Sequence, residues 1–234
     1  MELYKFLQQQ GVGSRNECKQ RILRGLVAIN GQTIREVAWP LDEAAPGQIV
    51  MNGEPWEPVE LPVYLALHKP SGFESSHQPA HHPSVFSLLP RRLVQMGLEA
   101  VGRLDADTSG LLLFTSNGQF VHALTSPRRH VAKRYRVQLK HPASPELLER
   151  LTSGVVLKDD EQMVRADAIA QRDTHIIDLT ISEGRYHQVK RMVGAAGNRV
   201  AELHREAIGA MELGELAPGD WRLLTREELQ SLGF

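Results

Sequence analysis

One carboxylate stands out by its setting. Asp105 lies in the run Gly102-Arg103-Leu104-Asp105-Ala106-Asp107-Thr108-Ser109-Gly110-Leu111, a glycine-bounded turn with an arginine two residues upstream of the acid. An ionised carboxylate can act as a covalent nucleophile or as a base. From Thr108 to Pro145 there is no Asp or Glu, whereas Arg128, Arg129, Lys133, Arg134, Arg136 and Lys140 all fall in that stretch. A potential nucleophile that opens a cationic, acid-free segment suits chemistry on a polyanion, because the basic residues neutralise phosphates while one carboxylate reacts. Asp107 is the rival acid, and on spacing alone an Asx-turn is the preferred use of Asp105. The rest of the chain reverses that preference.

Other candidates are weaker. His77, His81 and His82 cluster among prolines, but the hydrolytic metal motifs are absent, so they read as an exposed loop and no metal is expected. Cys18 is the only cysteine, which excludes an internal disulfide, and it reads as packing because no partnered base accompanies it.

The elements that must position Asp105 divide in two. The first forty residues predict two short helices and a small sheet. Leu3, Phe6 and Leu7 keep helical spacing, Gly11 and Gly13 end that helix, and Ser14 with Glu17 forms a capping signature for the next, which runs to Gly25. Val27 to Ile34 alternates and turns at Asn30-Gly31, a strong hairpin signal. After a last strand near Gln48 to Met51, the Pro- and acid-rich stretch to Pro62 reads as a linker.

Beyond it, β-prone runs dominate: Val63–Leu67, Leu111–Thr115, Tyr135–Leu139, Arg165–Ile169 and His175–Ile181. Helices are predicted at Gln119–Leu124, Pro145–Leu151 and Tyr186–Ala196. Strands with interspersed helices and no βαβ repeat predict an α+β fold with a mostly antiparallel mixed sheet. The expected division is 1–58 for the small domain and linker and 59–234 for the larger domain.

Composition sets the partner class. The chain has 234 residues and a formal net charge of -1, which argues against nucleic acid only if charge is averaged. Met1 to Pro40 carries Lys5, Arg15, Lys19, Arg21, Arg24 and Arg35 against three acids, and the charged residues from Leu41 to Leu61 are all acidic. Local sign steers a polyanion more than the total does. No apolar run approaches the roughly eighteen residues that span a bilayer, and the first residues lack a secretory layout, so a soluble cytoplasmic protein without a membrane partner is expected.

The whole string Gly102 to Leu111 resembles the motif Gly-Arg-Leu-Asp-x-x-Thr-x-Gly-Leu, which holds the single catalytic aspartate of the pseudouridine synthases. Lys133-Arg134-Tyr135 matches their Lys-x-Tyr segment. The run from Glu183 through Arg185-Tyr186-His187-Gln188 to Lys190-Arg191-Met192 matches their third motif, and Lys69-Pro70-Ser71-Gly72 resembles their structural first motif. Leu3 to Ile34 resembles the S4 RNA-binding module, except that Leu26 stands where a basic residue is common. Together these point to the RsuA-type branch. The tail from Gly197 to Gly209, followed by Leu216-Ala217-Pro218-Gly219, is more similar to the branch acting on 16S rRNA than to the large-subunit enzymes.

The resemblance implies isomerisation of uridine to pseudouridine in 16S rRNA, with an assembling small-subunit ribonucleoprotein as partner and a monomeric enzyme. It implies that Asp105 starts the reaction, at the ribose or at the base. Lys190 pairs with Asp105, Tyr135 stacks on the target base, Arg103 helps extrude the nucleotide, and Leu203 walls the base. Arg15, Lys19, Arg21 and Arg24 would lie at the S4 interface with RNA, and Arg128, Arg129 and Lys133 would add phosphate contacts. Arg103 could instead clamp phosphate or pair with Asp107, and His187 is expected to make a structural hydrogen bond.

Isomerisation needs no outside reagent and no net redox change, so no cofactor is expected. Asp105 must ionise under a flipped nucleotide, and desolvation would raise its pKa without a cation nearby. A ribosome-assembly factor without activity, an enzyme acting on 23S rRNA, and a glycosylase that releases uracil remain alternatives at this level.

Overall fold

The structure, a computed structural model, describes residues 1–157 and 160–234, from backbone alone at 160–162. The chain divides into two compact units: Met1–Val63 with Leu89–Leu98, and Tyr64–Leu88 with Glu99–Phe234.

The first unit opens with helices α1 (Leu3–Gln9) and α2 (Arg15–Leu23). The capping box forms as read: the Glu17 N–H donates to Ser14 Oγ, and the Ser14 N–H donates to the Glu17 carboxylate at 2.6 Å. Strands β1 (Val27–Ile29), β2 (Gln32–Ile34), β3 (Ile49–Met51) and β4 (Glu54–Trp56) form a sheet of order β2-β1-β3-β4. Asn30 and Gly31 have φ of 49° and 81°, the left-handed pair that a two-residue hairpin turn requires. Leu3, Leu7, Ile22, Val27 and Ile49 form the core with Cys18, which is buried.

Two features differ from the sequence reading. The first half of the stretch read as a linker holds β4, which pairs with β3 through a second Asn-Gly turn at Asn52 and Gly53 (φ 52° and 86°), so the Asn-Gly signal outweighs the prolines. Helix α3 (Arg91–Gln95) also belongs to this unit. Its Arg92 guanidinium donates to the Gln10 carbonyl at 3.0 Å and to the Glu57 carbonyl at 2.9 Å, and lies 4.2 Å from the Trp56 ring centroid.

The second unit is built on strands β5 (Tyr64–Lys69), β6 (Glu99–Ala100), β7 (Thr108–Thr115), β8 (Lys133–Leu139), β11 (Ala168–Asp173), β12 (Ile176–Ile181), β13 (Val200–Ile208), β14 (Met211–Glu212) and β15 (Trp221–Leu223). Strands β9 (Val155–Leu157) and β10 (Asp160–Val164) form a separate pair. The main sheet runs β11-β12-β8-β13-β7-β5-β15, with β6 on β7 and β14 on β13. Among the described residues, every strand pairing in this sheet is antiparallel except β13 with β7, so the sheet is mixed and the fold is α+β.

Residues Gly110 to Thr115 of β7 are all buried, the near-continuous apolar run expected of a strand covered on both faces. Helices α4 (Gly118–Thr125), α5 (Pro145–Ser153), α6 (Gln188–Ala195) and α7 (Arg226–Ser231) complete the unit. Asn117 and Ser144 cap α4 and α5 through their side-chain oxygens. The strand read at Arg165–Ile169 is displaced: residues 165–167 lie outside any strand, and pairing with β12 begins at Ala168. The long central β13 and helix α7 were not foreseen.

Candidate active site

Asp105 sits on the turn that feeds β7, and that turn is tied down from below. The N–H of Thr108 donates to the Asp105 carbonyl at 3.1 Å, and that of Gly72 to the Ala106 carbonyl at 2.7 Å. Ser75 Oγ accepts from the Leu104 N–H and donates to the Leu104 carbonyl. Lys69, at the end of β5, has a fully buried side chain whose Nζ donates to the carbonyls of Pro70, Ala106 and Thr108 at 2.9, 3.2 and 2.8 Å. Burial pushes its pKa down to about 8, opposed by the charges of Asp107 and Asp105. The Lys-Pro-x-Gly segment is thus the bracket on which the Asp105 turn rests.

The Asp105 carboxylate is held from two sides by one element. Lys190 Nζ on α6 lies 2.9 Å from Asp105 Oδ2 and 2.5 Å from Asp107 Oδ1, while His187 Nε2 lies 3.2 Å from Asp105 Oδ1. Burial works against the charge on Lys190, but its hydrogen bonds to Asp107 and Asp105 outweigh that cost and raise its pKa above the ordinary lysine value. Burial likewise opposes ionisation of Asp107, and the Lys190 hydrogen bond and charge overcome it, so its pKa is lowered. The local Arg103–Asp107 pair considered from sequence is not formed among the described residues; Asp107 takes Lys190 instead.

Beside this cluster lies a cavity of about 170 Å³. Asp105 and Arg103 stand at its wall together with Tyr135, Leu203, Lys133 and Arg205. The sheet register explains the gathering: on β13, Leu203 is opposite Thr108 of β7 and Arg205 is opposite Tyr135 of β8, which brings the turn, the ring and the leucine to one place. Tyr135 and Leu203 are nearly buried, so an apolar floor meets an ionic rim. An apolar floor with a few convergent polar groups is the common make-up of a small-molecule pocket. Lys133 Nζ donates to the Val131 carbonyl, and burial lowers its pKa.

The remaining basic residues lie elsewhere. Arg128 and Arg129 are exposed on a short turn at Pro127–Arg129, and neither lines this cavity. Arg15, Lys19, Arg21 and Arg24 lie on or next to α2 in the other unit, where Arg15 and Lys19 sit 5.4 and 4.8 Å from the Tyr4 ring centroid. Glu74 accepts the N–H groups of Ala80, His81 and His82, which pulls its pKa down to about 2 and fixes the histidine-bearing loop.

His187, expected to make a structural hydrogen bond, has Asp105 as its partner, which it meets from a left-handed backbone (φ 46°, ψ 35°) at the N-cap of α6. A non-glycine residue held there costs about 1–3 kcal/mol, a strain that clusters at functional sites. Arg205, 3% exposed, donates Nε to the Leu111 carbonyl at 2.9 Å beneath the cavity. Its place in an arginine-containing strand gave no apolar signal to find it by.

Comparisons with known proteins identify relatives over the whole chain. Residues 63–195 match the family described as RNA pseudouridylate synthase, and residues 2–45 match the S4 domain. The chain is similar to the ribosomal small subunit pseudouridine synthase A of Yersinia pestis, with 42% identity over 100% of this chain and 98% of that protein. It is also similar to its namesake from Escherichia coli (strain K12), with 40% identity over 99% of this chain and 100% of that protein. A crystal structure of a pseudouridylate synthase superposes with a TM-score of 0.70 at 33% identity, over 99% of both chains.

Proposed function

This chain belongs to the RNA pseudouridylate synthase family, and we propose that it isomerises one uridine of 16S rRNA to pseudouridine with Asp105 as the catalytic carboxylate. The small-subunit enzymes it resembles support that substrate, and resemblance to their branch makes uridine 516 the expected target. We place the reaction in the cytoplasm, on an assembling small subunit, with a monomeric enzyme whose S4 domain supplies further RNA contacts.

One observation carries the proposal: Asp105 lies between Lys190 and His187, at the wall of a cavity that also presents Tyr135 and Leu203. Isomerisation breaks the bond from C1′ to N1 and forms one from C1′ to C5; C5 gives up its proton and N1 gains one. Lys190 places its charge 2.9 Å from the Asp105 carboxylate, where it holds that side chain in position for either first step, at ribose or at base. Tyr135 stacks on the everted uracil, Leu203 closes the far side, and Arg103 takes the place the nucleotide leaves, offsetting a cost of a few kcal/mol for eversion.

The test is Asp105→Asn on a 16S rRNA fragment, with pseudouridine read by chemical mapping. Turnover should fall below detection while RNA affinity changes little, since phosphate contacts supply most of it. Pseudouridine formed at an undiminished rate would remove Asp105 from the reaction.

A further inference from the structure

A broader groove of about 950 Å³ adjoins the cavity and shares Arg103, Leu104, Asp105, Arg185 and His187 with it as common walls. One side chain in this groove has no part in the chemistry above. Tyr186 is 77% exposed, the highest exposure of any large apolar side chain among the described residues. Its ring is not loose. It stacks on the His187 imidazole with centroids 3.8 Å apart and planes 20° from parallel, and its carbonyl accepts from Arg191 Nη1 at 3.3 Å. His187 in turn is fixed by Asp105. One face of Tyr186 is therefore braced against the reacting centre while the other faces the groove.

We propose that Tyr186 is the stacking platform for the base next to the everted uridine, and so a positioning and specificity residue distinct from Tyr135. The inference rests on the pseudouridine synthase reading. When a nucleotide leaves its stack, its neighbour loses one face of contact, and a strand whose target fills the cavity must continue past the shared wall into the groove. A braced aromatic ring at that exit replaces the lost partner, and every base has a π-face to offer it. Donors for a nucleotide's phosphate stand nearby: Arg103, His81 and His82 line the same groove with Arg185, which also pairs with Glu183, and the groove's carboxylates are already engaged, Glu74 by three backbone N–H groups and Asp105 and Asp107 by Lys190. Stacking is tolerant of sequence, so Tyr186 selects an unpaired neighbour more than a particular base.

The test is steady-state kinetics of the full chain on a 16S rRNA fragment, comparing wild type with Tyr186→Ala, Tyr186→Phe and Tyr186→Trp. It is repeated on fragments made abasic at the nucleotide 5′ or 3′ of the target. Loss of one base stack should raise KM roughly 5- to 100-fold in Tyr186→Ala, with the effect falling on KM and not kcat, while Phe and Trp restore it. One of the two abasic fragments should raise the wild-type KM similarly and erase the difference between wild type and Tyr186→Ala. An unchanged KM in Tyr186→Ala overturns the inference, as does a loss confined to kcat or one that both abasic fragments leave intact. Absence of pseudouridine with wild-type enzyme on the unmodified fragment would strike the underlying reading instead.

Discussion

Lys190 serves two carboxylates at once. Its hydrogen bond and charge lower the pKa of Asp107 against the burial that opposes ionisation there, and the same ammonium fixes the Asp105 side chain two residues away. A charge-assisted hydrogen bond of this kind is worth about 1.5–3 kcal/mol. Replacing Lys190 by Met should therefore lower the single-turnover rate constant about 10- to 100-fold, with Lys190→Arg recovering part of the loss because a fork replaces a point charge. A Lys190→Met enzyme as fast as wild type would show that the Lys190 contact with Asp105 does not serve the reaction. That Asp105, Tyr135 and Leu203 would gather at one cavity with Lys190 against Asp105 was legible only through the family resemblance, since spacing alone favoured an Asx-turn for Asp105. His187 was legible only as a member of a motif. What turns its imidazole onto Asp105 is a left-handed backbone at the start of α6, and nothing in a local string of side chains reports that angle.

At the scale of elements, the site depends on the one parallel pairing in the sheet. Strand β13 runs beside β7 with Arg205 opposite Gly110, and that closeness has a sequence cause. Gly110 has φ of 110°, and a Cβ there would lie 2.5 Å from the Arg205 amide nitrogen, well inside the distance at which atoms can sit. The second glycine of the turn motif thus does more than bound a turn: it lets the strand carrying Leu203 approach the strand fed by Asp105. Gly110→Ala should cost at least about 2 kcal/mol of stability, from the unfavourable φ alone before any clash is relieved, and urea denaturation would measure it. A midpoint within error of wild type would refute the close approach.

The same strand shows why part of the fold was hidden. Its buried positions alternate at Leu203, Arg205 and Ala207, the period of a strand, yet one is an arginine and His204 and Glu206 stand between, so the hydrophobic pattern breaks where the chain is most central. By contrast, Asn30-Gly31, the Ser14 cap and the Leu-rich run of β7 wrote their structure locally. The β3–β4 hairpin had the same Asn-Gly signature, obscured by the acids and prolines around it.

For the whole molecule, a net charge of -1 conceals a division of labour. The S4 domain gathers cations around an aromatic: Arg15 and Lys19 lie against the buried Tyr4 ring, Arg15 Nη2 donates to Tyr4 Oη at 3.3 Å, and Arg24 is exposed at the C-cap of α2. Arg21 differs from these, since it is half-buried and its Nε is enclosed without a described partner. Phosphate contact from this face should therefore come from Arg15, Lys19 and Arg24 more than from Arg21. Each phosphate neutralised on a single strand contributes about 0.7 to the slope of log affinity against log salt. Changing Arg15, Lys19 and Arg24 together to Gln should then flatten the slope by about 2, with a matching loss of affinity at low salt that shrinks as salt rises. Titration of a labelled 16S fragment at several potassium chloride concentrations measures both. If the slope stays at the wild-type value, these three side chains do not meet phosphate, and cations elsewhere, with Lys133, Arg103 and Arg185 the first to examine, supply the salt dependence.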